Sequence, residues 1–380
     1  MIADAGRRGY GLLLQQFWDE ARSHGLPLPT EQPISAASFC RARPKITSEL
    51  LRHTLHEVAA LSLDLSFGEQ LWFGHRVLGV DGCKVNLQRS DDLQRAFGVP
   101  SGGHCPQILV STLYDLRAKV PIDVEIGPSA SCERQQLFRM LESLAPGDVL
   151  VMDRGYPSHE LLQQLALLSV NFLVRVPEKN TFSAVDQLRE SGDDEAIVTI
   201  DVPKGSPEAW RPIDVRVVCL RTPEGAESYF LTSLIGEQYT SEELRKLYHL
   251  RWEIEEFYKQ IKGPYIGQGQ FRSKSPEGVR QEVHAMMLFM AVSRVVMAAA
   301  ATSAEIGIEE VSQKAGVLSV AAYVTRLFLG AEDLNAAKRD LRALLETIAR
   351  ARYRKRPGRS APRRSLRPRP RWGASGRVGG

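Results

Sequence analysis

Val149-Leu-Val-Met-Asp-Arg-Gly-Tyr156 runs apolar for four residues and then ends on an acid. A strand with one wet face alternates, so a run that is apolar at every position suits a strand buried on both faces of a sheet. Working outward, residues 133–144 read as a helix stopped by Pro146-Gly147, and residues 158–168 as a second helix. The second leads to a strand-like run over 171–176. Upstream lie three more strand candidates, 76–81, 107–114 and 120–126. The last alternates apolar and polar as a half-exposed antiparallel strand should. Strands and helices in this order predict an α/β layer with a mixed sheet flanked by helices.

The flanks read differently. Residues 1–75 are helical in period, with Pro27, Pro29 and Pro33 marking a loop. Residues 178–236 carry three strand-like runs without a long helix between them, which predicts a β-rich insertion. Helices return from Ser241 to about residue 350.

The chain has 380 residues, 43% apolar and 25% charged, which excludes wholesale disorder or a fibrous repeat. It is also too long for one core, so two or three domains are expected. The longest apolar stretch, 285–301, is broken by Ser293 and Arg294 and reads as too short to span a bilayer. No N-terminal apolar run suggests a signal peptide. Five scattered cysteines predict neither a disulfide framework nor a zinc site, and fit a reducing cytoplasm. The net charge is +4, yet residues 351–380 hold eleven Arg and Lys and no acid, so the preceding chain is net acidic. That Pro/Gly/Ser-rich tail should be disordered alone and suits a polyanion.

Three acids carry the chemistry. Asp81, in Gly79-Val-Asp-Gly82, lies at the end of the first strand, and Asp153 ends the central one. Sites in open α/β sheets collect at the carboxyl ends of strands, and adjacent first and fourth strands would set these aspartates face to face. The third acid sits on a helix opened by the capping box Thr240-x-x-Glu243 and stopped by Gly263-Pro264. With Tyr248 at zero, Arg251, Glu255 and Lys262 fall at about 300°, 340° and 320° around that helix. Leu247, Leu250, Ile254, Phe257 and Ile261 cover the adjoining arc, which should face the sheet. Clustered carboxylates repel one another unless a cation joins them. Their hard oxygens favour two Mg²⁺, with Mn²⁺ as a substitute, for displacement at a phosphodiester. Arg, Lys and Tyr on the same stripe suit phosphate contacts.

Tyr248-x2-Arg251-x3-Glu255-x6-Lys262 matches in full the Y-R-E-K signature of DDE transposases of the insertion-sequence-four family. Asp81 in Val80-Asp-Gly82 resembles the family's first aspartate, and Asp153-Arg-Gly-Tyr156 its second motif. Phe271-Arg-Ser-Lys-Ser-Pro-Glu-Gly-Val, Pro33-Ile-Ser-Ala-Ala-Ser-Phe and Pro357-Gly-Arg-Ser-Ala-Pro-Arg also read like segments of relatives. Cys83 departs from the Ser or Thr expected after Asp-Gly.

The resemblance implies an RNase H-like catalytic domain over 76–300, with the 178–236 β-strand insertion before the catalytic helix. Around it stand a helical DNA-binding region (1–75), a helical C-terminal region (301–350) and the basic tail (351–380). Asp81, Asp153 and Glu255 would bind metal and catalyse, while Tyr248, Arg251, Lys262, Arg154 and Tyr156 would meet DNA. Cleavage at terminal inverted repeats, strand transfer into target DNA, and a homodimer on the transposon ends follow as expectations. So does a place in the bacterial cytoplasm, at the nucleoid. The alternatives are a metal-dependent nuclease or resolvase on the same core, and an inactive transposase-derived DNA-binding protein. Asp123 and Glu125 read as structural, His53-x2-His56 as surface helix without a partner acid, and Trp252 as packing.

Overall fold

The computed structural model describes residues 9–65, 71–177, 182–221, 226–262, 271–330 and 333–353. Three helices come first: α1 (Tyr10–Ser23), α2 (Ala36–Ala42) and α3 (Ser48–Leu65). Then follow β1 (Val77–Asn86), α4 (Asp91–Phe97), β2 (Gln107–Asp115), β3 (Val120–Pro128), α5 (Glu133–Phe138) and β4 (Val149–Met152). The middle of the chain gives α6 (His159–Leu167), β5 (Asn171–Arg175), α7 (Ser183–Ser191), β6 (Glu195–Ile200), β7 (Ile213–Arg221) and β8 (Glu227–Thr232). The rest is helical: α8 (Ser241–His249), α9 (Trp252–Gln260), α10 (Pro276–Ser303), α11 (Gln313–Leu329) and α12 (Leu334–Arg350).

One mixed sheet holds all eight strands, in the order β3-β2-β1-β4-β5-β8-β7-β6. β1, β4 and β5 run parallel to their neighbours in that trio, and the remaining pairs are antiparallel. Three antiparallel strands followed by two parallel ones are the RNase H-like arrangement that the sequence resemblance implies. Every side chain of β4 is buried, as its unbroken apolar run requires. Alternation along β2 sends Thr112 and Tyr114 to one face and Ser111 to the other. Phe257 of α9 packs on Tyr114 with ring centroids 4.6 Å apart, while Gln136 of α5 takes the Ser111 hydroxyl. Helices α9 and α5 therefore lie on opposite faces of β1 and β2.

The three strand-like runs of residues 178–236 form β6, β7 and β8, and β8 pairs with β5 so that they extend the same sheet. Other expectations change. The helix expected over 133–144 stops at Phe138, and a 3₁₀ turn follows at Leu141–Ser143. Strand β3 is not half-exposed, because α3 covers its polar side chains. Arg52 grips Asp123 through two nitrogens at 2.7 and 2.8 Å, and the Arg52 guanidinium also pairs with Glu125 at 2.8 Å. His56, expected to lack a partner acid, holds Asp123 at 3.0 Å. Asp123 thereby tolerates burial with its charge, and Ser143 adds a hydroxyl at 2.9 Å.

Helix α10 is long and apolar enough, by length and composition alone, to cross a membrane. It packs on α3 and β3, and its buried Arg294 donates Nε–H to the Ala118 carbonyl at 2.8 Å. Of the five cysteines, Cys83 and Cys219 are buried and Cys40 and Cys132 exposed. Most of the basic tail, and the Gly263-Pro264 helix stop, lie outside the described residues.

Candidate active site

The centre is set by where two strands part. β1 and β4 pair in parallel from Val77↔Val149 to Gly79↔Val151, and the pairing ends there. Continuing that register by two residues brings Asp153 alongside Asp81. Asp81 is mid-strand rather than at a strand end, since β1 runs on to Asn86 beside β2. What ends at Gly79 is the pairing with β4.

Asp153 opens a tight turn whose Gly155 N–H donates to its Oδ1 at 2.8 Å. Burial pushes the Asp81 carboxyl up to about 6. The Arg251 guanidinium and the Gly82 N–H oppose that rise, while the carboxylates of Glu133 and Asp153 add to it.

The third acid arrives from the Tyr114 face. Helices α8 and α9 are not the single helix expected. Around Leu250 and Arg251 the bonds tighten to i→i−3: Arg251 N–H reaches the Tyr248 carbonyl at 3.1 Å, and Ile254 N–H the Arg251 carbonyl at 3.3 Å. The Thr240 cap accepts from the Glu243 N–H at 3.3 Å. Tyr258, which sequence reasoning passed over, ties α9 to the sheet. Its hydroxyl is shared between the Asp81 carbonyl at 2.8 Å and the Val110 carbonyl at 3.1 Å.

So anchored, α9 presents Glu255, whose Oε1 accepts from Arg251 Nη2 at 2.8 Å. Tyr248, Asp81 and Glu255 are the electrostatic neighbours of Arg251, and Arg251 also lies 5.8 Å over the Tyr248 ring. Lys262, after α9, is exposed and reaches the Cys83 thiol on β1. Burial raises that thiol's pKa, opposed by Lys262.

Arg154 points to solvent. Tyr156 is fully buried, and its hydroxyl donates to Glu133 Oε2 at 3.3 Å; that burial suits a loop anchor and not a DNA contact. Glu133, in the first turn of α5, is a second residue the sequence reading missed.

The donor set fits a hard divalent cation, since it offers carboxylate oxygens with no thiolate or imidazole among them. Positive charge at the site comes from Arg251, which bonds Glu255 and is an electrostatic neighbour of Asp81. Among the described residues no three Asp, Glu, His or Cys side chains yet converge on one point. A pocket of about 530 Å³ opens elsewhere, lined by Arg52, His56, Asp123 and Arg139 among others, and the three acids do not line it.

Comparison with known proteins points the same way. Residues 72–292 match the model of the family described as Transposase DDE domain. The chain is similar to the transposase InsG for insertion sequence element IS4 of Escherichia coli K12. The two are 24% identical over 274 residues, covering 69% of this chain and 61% of that protein. The putative transposase InsL for insertion sequence element IS186A, from the same strain, is 24% identical over 286 residues, covering 62% of this chain and 75% of the relative. Among solved structures, the piggyBac transposase synaptic complex with hairpin DNA aligns with a TM-score of 0.45 and 14% identity, over 75% of this chain and 59% of that one. The chain thus spans about three-fifths of the length of the IS4 relative.

Proposed function

Because this chain belongs to the transposase DDE domain family, we propose that it cuts DNA at the terminal inverted repeats of a mobile element and joins the freed 3′ ends to target DNA. The observation that carries this reading is the parting of β1 from β4. It sets Asp153 beside Asp81, with Glu255 held opposite by Arg251.

Asp81, Asp153 and Glu255 are the residues that would hold metal. Members of this family use divalent ions, here taken as two Mg²⁺ with Mn²⁺ as a substitute. When bound, the pair activates the attacking oxygen and stabilises the leaving one. The chain's own side chains do the rest. Tyr258 fixes the helix that carries Glu255 against the Asp81 carbonyl. Arg251 and Lys262 would supply positive charge for the scissile phosphates, and Tyr248 a hydroxyl; Arg154, exposed in the turn after Asp153, would add a phosphate contact. Half-burial of Asp81 and Glu255 strengthens every charge interaction there relative to bulk water.

In this reading residues 1–75 bind DNA, 76–300 form the catalytic domain, and 301–350 with the basic tail add contacts to the double helix. A homodimer brings two ends together, in the bacterial cytoplasm at the nucleoid. The test is cleavage of duplexes carrying the element's own ends, with Mg²⁺ or Mn²⁺, comparing wild type with Glu255→Gln. Joined products that vanish in the variant support strand transfer. Fragments without joined products would mean a nuclease. Binding without cleavage by either protein would leave a DNA-binding relic.

A further inference from the structure

Gly82 follows Asp81, and its side of the strand is the α5 face, since it pairs with Ser111. A Cβ built on Gly82 would lie 2.3 Å from Glu133 Oε1 and 2.4 Å from Cδ of the same side chain. No carboxylate occupies such a space beside any other residue type, so the missing side chain is what admits Glu133 to the strand. Helix α5 cannot drift away, because the buried Gln136 clasps the Ser111 hydroxyl from the same helix. On its other oxygen Glu133 accepts from Tyr156, the last residue of the Asp153 turn. Among the described residues no Arg, Lys or His nitrogen pairs with Glu133, Asp81 or Asp153; the site's one ion pair is Arg251 with Glu255. Partly buried carboxylates grouped with no ion pair of their own are costly unless a cation joins them. Asp81 pairs with Thr112 on the α9 face while its neighbour Gly82 faces α5, so acids from both faces of the strand stand within one residue of each other.

We propose that Glu133 is a fourth carboxylate of the catalytic centre, admitted by Gly82 and oriented by Tyr156 so that it adds an oxygen donor beside Asp81 and Asp153. The proposal rests on the metal-dependent reading of that site. Asp81 and Glu255 approach from the α9 face and Glu133 from the α5 face, so together they would offer a cation oxygens from both sides of the strand.

The test titrates Mn²⁺ alone into the full chain and reads the bound fraction by electron paramagnetic resonance. Circular dichroism and melting in EDTA serve as controls for folding. The expected result is binding by wild type, loss in Asp81→Asn, and weakening by about tenfold or more in Glu133→Gln. Gly82→Ala keeps every acid yet drives the Glu133 carboxylate out, so it should weaken binding equally. The double variant should bind no worse than Glu133→Gln alone. If Glu133→Gln folds poorly, Gly82→Ala carries the comparison by itself. Wild-type binding in both Glu133→Gln and Gly82→Ala, beside loss in Asp81→Asn, overturns the proposal and leaves the metal reading intact. So does an additive double variant. Undiminished binding in Asp81→Asn sinks the metal reading itself.

Discussion

Arg251 and Glu255, one helical turn apart, share a 2.8 Å hydrogen bond in which the guanidinium also faces Asp81. One cation thus bonds one acid and attracts a second from another element, at the point where the chain changes from α8 to α9. For Glu255→Gln, cleavage and strand transfer are expected to fall by at least about a hundredfold, the scale on which one electrostatic partner of a transition state acts. Binding to end DNA should survive, so gel shift and cleavage assays on the same duplex would separate the two effects.

Asp81 should cost stability when no metal is present. Its carboxyl is pushed by burial from the ordinary 3.8 up to about 6. An acid raised on folding destabilises fully above the folded value and not at all below the unfolded one. Asp81→Asn is therefore expected to be more stable than wild type by roughly 2–3 kcal/mol at pH 8 in EDTA. The advantage should shrink as pH falls from about 6 and vanish near pH 4. Thermal melts across that range would show it, and a pH-independent gap would contradict it.

Asp123 should behave in the opposite sense. Burial alone would raise it, but the His56 and Arg52 hydrogen bonds prevail and hold it at about 2. Its contribution is present above about pH 4 and is lost as pH falls toward 2. Asp123→Asn should cost roughly 2 kcal/mol at pH 7, with the gap closing in acid. Urea unfolding at pH 7 and pH 2.5 checks the sign.

Tyr258→Phe removes the hydroxyl that spans two backbone carbonyls. A loss of about 1–2 kcal/mol in stability is expected. Cleavage should drop by about tenfold at saturating DNA, because Glu255 loses its fixed station over Asp81. Unchanged cleavage beside lowered stability would show that α9 is held by packing alone.

Deleting residues 354–380 removes ten of the tail's eleven cations. Affinity for random duplex DNA should fall, and the salt dependence should flatten by about 0.9 in slope for each phosphate that is no longer neutralised. Titrations between 50 and 300 mM salt, roughly the range where such effects are large, measure it.

The sequence was most legible where one period dominates. The apolar run of β4 named the central strand, and the Tyr248 to Lys262 spacing named the acid-bearing helix. The break between α8 and α9 was not legible, because a tightened turn leaves the heptad-like pattern of Leu247, Ile254 and Ile261 almost unchanged. Asp123 looked solvent-facing for a related reason. Alternation reports which face a residue takes, and says nothing of the α3 side chains, some seventy positions earlier, that cover it. Glu133 was hidden because the clue lies in an absent side-chain atom at Gly82, which spacing along the sequence does not report.

Asp81, Asp153 and Glu255 stand on segments far apart along the chain, and Glu255 follows the last strand of the sheet. At bacterial synthesis rates of about 5–20 residues per second, the third acid leaves the ribosome roughly 5–20 seconds after the second. In the proposed reading the growing polypeptide therefore lacks its third acid, and the helix that carries it, until most of the sheet has been made.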